Sequence, residues 1–157
     1  MNARLRILLD DRSLLEHAAT DTEVVAMWEK AVLTLENSRR GLDPAVEFAV
    51  AYMAALQAAT ALLYACGYRP SGRDHHHTAF AGAAAIGEGD LARAARELDR
   101  LRLGRHEAVY GSQLTVPEQQ LQTLREATVG LMREASPRIS AERPALAATL
   151  VDPLGLK

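Results

Sequence analysis

Apolar positions recur along most of this chain at steps of three and four, the spacing of one face of a helix. Ser13 to Glu16 fits the S-x-x-E capping box and predicts a short first helix. Asp21 and Thr22 precede a long amphipathic stretch with Val25, Trp28, Val32 and Leu35 on one side, and Gly41 closes it in the manner of a C-cap. Asp43 and Pro44 supply the next start, an N-cap carboxylate and a proline at the first helical position. From there to Cys66 the chain is alanine-rich and apolar on most sides (Phe48, Tyr52, Leu56, Ala59, Leu63), which predicts the central and most buried helix. "GYRPSGRD" has the composition of a loop, after which Asp74 caps a third helix opening with His75, His76 and His77. "GEGD" breaks that helix, and Asp90 caps a fourth that runs to about Tyr110. Thr115 to Glu118, with Pro117 in the first turn, opens a fifth helix to about Glu134. The pattern predicts an all-α fold, an antiparallel bundle of four to five helices over residues 1–135. Residues 136–157 form a C-terminal tail, where three prolines leave room for a short helix near Ala145 to Leu150.

Composition sharpens this picture. At 157 residues the chain suits one domain with a real core. Aromatics are scarce and alanine is abundant, which favours closely packed helices over a sheet. The net charge of -2 does not advertise nucleic-acid binding in bulk, so any binding face must be local. Lys30 and Lys157 are the only lysines, and the arginine excess fits either anion recognition or coding bias. The single cysteine, Cys66, sits among Ala59, Leu62, Leu63 and Ala65 and reads as a small buried hydrophobe. Asp10 and Asp11 interrupt any signal-peptide core, and no uninterrupted apolar run has the roughly 18 residues of a membrane span. These features point to a cytoplasmic protein with no membrane partner.

Candidate chemistry concentrates in "LDRLRLGRHEAVYG", residues 98–111. Leu91, Ala94, Leu98, Leu101 and Ala108 form an apolar stripe whose next member after Leu101 is Arg105. A guanidinium in an apolar seam is costly unless it is paired or faces a partner. Arg102, His106 and Tyr110, spaced i, i+4, i+8, form a ridge of arginine, imidazole and phenol beside that seam. Such groups fork onto phosphate, shuttle a proton and stack on a base. The plainer alternative is a solvated face in which Glu97, Asp99 and Glu107 pair with the arginines.

"RDHHH", residues 73–77, is a second candidate. Successive helical residues point about 100° apart, so three adjacent histidines do not converge on one ion, and no metal site is expected. Arg73 and His75 at a helix start can instead contact an anion or nucleic acid; the alternative is an exposed turn. The Gly-rich fragments follow no strand, and no cofactor is expected.

The central helix "FAVAYMAALQAATALLYACGYRPSGRDHHH" followed by "LRLGRHEAVYG" resembles the HEPN family (higher eukaryotes and prokaryotes nucleotide-binding), closest to a subgroup seen in actinobacterial proteins. The resemblance spans roughly residues 13–134. It implies a bacterial helical bundle, usually a homodimer, with an RNA- or nucleotide-related role. Catalytic members are metal-independent ribonucleases, among them toxins of toxin–antitoxin pairs, in which an arginine is followed four to six residues later by a histidine. There the histidine handles the ribose 2′-hydroxyl proton and the arginine stabilises the phosphate in transit. Matching Arg105 and His106 to the family's arginine-plus-polar pair puts Tyr110 where those members carry histidine. A phenol with a pKa near 10 is a poor base at neutral pH, so this register implies binding without efficient cleavage. The alternative pair, Arg100 and His106, satisfies the spacing but lies about 240° apart on one helix, so it meets only across a dimer. The expectation is a homodimeric domain that binds RNA or nucleotide through Arg102, Arg105, His106, Tyr110, Arg73 and His75. The alternatives are a ribonuclease with a cognate antitoxin, or a ligand-free interaction module in which Arg105 sits in a dimer seam.

Overall fold

The structure is a computed structural model that describes residues 2–104 and 116–150. Among these residues six α-helices and one small antiparallel sheet are present. Helices α1 (Ala3–Asp10), α2 (Asp21–Ser38), α3 (Pro44–Ala65), α4 (His75–Ile86), α5 (Gly89–Arg100) and α6 (Glu118–Glu142) are joined by β1 (Leu14–Glu16) and β2 (Tyr68–Pro70). A 3₁₀ turn, Pro144–Leu146, follows α6.

The expected all-α character holds, and α3 is the central helix. Phe48, Tyr52, Ala59, Leu62 and Leu63 on it are all fully buried. Its buried alanines, Ala51, Ala54, Ala55, Ala58 and Ala61, let neighbouring helices approach closely. By length and hydropathy α3 would span a membrane, but 61% of that stretch is buried inside the bundle, which makes it a core helix. Pro44 occupies its first position as the sequence requires. Trp28 of α2, Phe80 of α4, Leu98 of α5, and Leu131 and Met132 of α6 complete the fully buried core.

Helix direction departs from the expected antiparallel pattern. Arg125 of α6 grips Glu47 near the start of α3, and Arg143 just after α6 reaches the Ala65 carbonyl at the end of α3. The two longest helices therefore run the same way. By contrast α4 and α5 form an antiparallel hairpin, with His77 beside Asp99 and Gly87 against Leu91.

Three local expectations are corrected. Ser13–Glu16 does not cap a helix. Leu14 pairs with Pro70, Leu15 with Arg69 and Glu16 with Tyr68, so part of the expected "GYRPSGRD" loop is a strand. The cause is tertiary: Leu14 is fully buried and lies against Gly82 of α4, a contact that a capping box cannot foresee. The first helix lies earlier, at α1, where the Asn2 side chain accepts from the Leu5 amide and donates to the Ala85 carbonyl. Finally, α6 continues through Ser136 and Pro137, across the expected 135/136 boundary. Pro137 removes one backbone donor, but Met132, Ala135 and Ile139 are buried on either side of it and hold the helix against the core.

The bundle's C-terminal corner is clasped by arginine. The Arg143 guanidinium donates to the carbonyls of Ala19, Tyr64 and Ala65 and to the Asp21 carboxylate. Two of these carbonyls, Tyr64 and Ala65, lie at the C-terminal end of α3, where the helix dipole favours a cation. Arg138 does the same for the Ile86 carbonyl at the end of α4.

Candidate functional site

The α4–α5 hairpin brings the two segments singled out in the sequence together. Its break lies at Gly87 and Glu88, so residues about equally far from Glu88 face each other, and His77 and Asp99 each lie eleven positions away. His77 Nδ1 lies 2.9 Å from both carboxylate oxygens of Asp99. An ionised carboxylate only accepts, so Nδ1 is the donor in this contact. The His77 side chain is 41% exposed.

Arg102 joins this pair from beyond the end of α5. The helix stops at Arg100 and Leu101 forms a turn; residues 102–104 are helical again. The expected single helix through the seam is therefore interrupted at Leu101. Among the residues of the expected stripe, Leu91 and Leu98 are buried, while Ala94 and Leu101 are only half-buried. Arg102 Nε lies 3.5 Å from Asp99, a charge contact longer than a good hydrogen bond, and a terminal nitrogen donates to Asp74 at 3.2 Å. Asp74 precedes α4 as expected, but its side chain makes no cap bond and serves Arg102 instead.

The remaining sequence candidates divide clearly. Arg73 and His75 are exposed beside Asp74, at the same edge as Arg102. Arg100, of the alternative pair, is 75% exposed and forms an ion pair with Glu97 on its own helix, the solvated arrangement. Arg105, His106 and Tyr110 lie outside the described residues. Among the described residues no group of three His, Cys, Asp or Glu side chains is placed to hold a metal ion. The three consecutive histidines diverge: His75 meets His76 edge-on, the His76 ring lies 6.0 Å from Tyr52, and His77 turns to Asp99. Burial pushes the Cys66 thiol up to about 11, so it stays protonated at neutral pH and is a poor nucleophile.

Asp99 is the residue that sequence reasoning undervalued, placing it only as a partner for arginine. The signal was the symmetry of the hairpin about "GEG".

Comparison with family models, with curated proteins and with solved structures gives no match to this chain.

Proposed function

We propose that this chain is a HEPN-like helical domain that binds RNA or a nucleotide at the α4–α5 edge, as a homodimer, without efficient cleavage. The observation that carries the reading is the placement of Arg102 against the "RDHHH" segment. Arg102 is 36% exposed, and its partner Asp74 is 62% exposed. An exposed pair of this kind is worth little, typically below about 1 kcal/mol, so a phosphate exchanges for Asp74 at small cost. The incoming phosphate gains a forked donor that matches its geometry. Arg73 and His75 stand at the same edge to add charge and donors. Arg105, His106 and Tyr110 follow Arg102 directly in the chain and enter the proposal through the family resemblance.

A second reading, metal-independent RNA cleavage, gains support from one observation: the imidazole of His77 is oriented by Asp99 beside Arg102. In that reading Nε2 takes the 2′-hydroxyl proton, the 2′-oxygen attacks the adjacent phosphorus, and Arg102 stabilises the added negative charge. The 5′-oxygen leaves with a proton from solvent water. Incubation of the full chain with a mixed RNA pool in excess EDTA separates the readings. Salt-dependent retention without products supports binding. Cleavage lost in His77→Ala and kept in His106→Ala supports the second reading with His77 as base. Neither retention nor products contradicts both.

A further inference from the structure

On the other side of Asp99, α1, α4 and α5 surround a cavity of about 270 Å³. Leu8, Phe80, Ala81 and Ala84 give it an apolar wall, and Ile7, 62% exposed, stands at its mouth. The cavity exists because α4 offers methyl groups at 81 and 84 where larger side chains would fill the space between it and α1. Two arginines, Arg4 and Arg96, are among the residues that line the same space, and neither makes a hydrogen bond or ion pair among the described residues. Unpaired arginines occur elsewhere on this surface, at Arg39 and Arg40 for example, but neither of those lines this cavity. Asp99 contributes the one carboxylate, and that group is already engaged by His77 and Arg102. A second hollow shares Arg4, Ala84 and Arg96 and extends toward Gly87 and Gly89.

From this combination we infer a binding site for a small organic anion: an apolar body of one or two rings or a short chain, carrying a single carboxylate or phosphate. The apolar wall removes the body from water. The two uncommitted arginines meet the charge, and so avoid the cost of taking it from water unpaired. The volume is at the lower limit of small-molecule sites, which begin at about 300 Å³, and excludes large ligands from the cavity itself. This site adjoins the Arg102 edge at Asp99, but the arginines it uses, Arg4 and Arg96, are not those assigned to RNA, and it does not depend on RNA binding there.

The test is calorimetric titration of the full chain with 1-naphthoate, octanoate and phenyl phosphate, each to about 5 mM, with neutral 1-naphthamide as control. Saturable binding of at least one anion, weaker for the amide by about tenfold or more, is expected. The double variant Arg4→Gln/Arg96→Gln reduces that binding by about tenfold or more while leaving RNA retention unchanged. Ala84→Leu, at a half-buried position, fills the cavity and abolishes binding; circular dichroism confirms that both variants remain helical. No saturable binding by any of the three anions, equal binding of the amide, or binding unaffected by the arginine replacements overturns the proposal. Because RNA retention is measured on the same proteins, failure at this site and failure at the Arg102 edge are distinguished.

Discussion

Arginine does two different jobs in two regions of this molecule. At the C-terminal corner Arg143 and Arg138 donate to backbone carbonyls at the ends of α3 and α4. At the α1–α4–α5 side Arg102 is held by an exposed aspartate, and Arg4 and Arg96 have no partner among the described residues. The residue type is the same; what differs is whether the acceptor can leave. A backbone carbonyl at a helix end needs a donor whenever the protein is folded. A solvated carboxylate is exchangeable, and an unpaired guanidinium is open to an anion.

The sharpest way to break this comparison is to remove the clasp. Arg143→Ala is expected to cost about 2–3 kcal/mol, since several charge-assisted bonds to helix-end carbonyls are lost together. Thermal unfolding measures this as a drop of roughly 5–10 °C. Arg143→Lys does not restore it, because an ammonium lacks the fork that reaches Asp21 and three carbonyls at once. At the other side, Arg4→Gln/Arg96→Gln changes stability by less than about 0.5 kcal/mol in urea unfolding, because no intramolecular bond is lost. A large loss there would mean that these arginines are structural after all.

An effect that appears only with pH concerns Cys66, beside the clasp. Its thiol is raised by burial from the ordinary 9.0 to about 11, so the folded state holds a proton that the unfolded state releases. Its contribution to stability is complete below pH 9 and is lost as pH rises through 11. Unfolding curves from pH 8 to 11 should show this loss in the wild type and not in Cys66→Ala.

The sequence made much of this legible. Asp43–Pro44 set the start of α3, and the alanine-rich run after it is the core helix. The "GEGD" break defined the α4–α5 hairpin. What escaped reading was decided by partners distant in the chain. Leu14–Glu16 is a strand because Tyr68–Pro70 lies alongside it, and α6 passes Pro137 because its apolar face stays seated. The parallel course of α3 and α6 is fixed by Glu47–Arg125 and Ala65–Arg143, pairs whose members are 78 residues apart. For the site, the sequence pattern marks Arg102 and "RDHHH" as two separate anion candidates. Their meeting, and the hold of Asp99 on His77, needed the register of the hairpin.

The claim that the α4–α5 edge exchanges Asp74 for phosphate is tested most directly by filter retention of a mixed RNA pool at low and high salt. Wild type, Arg102→Gln and Asp74→Asn are compared, with melting curves to confirm equal folding. Arg102→Gln should lose retention by about tenfold or more, and Asp74→Asn, which frees the guanidinium, should strengthen it. Equal retention by all three proteins would contradict the account and leave Arg102 as a surface ion pair only.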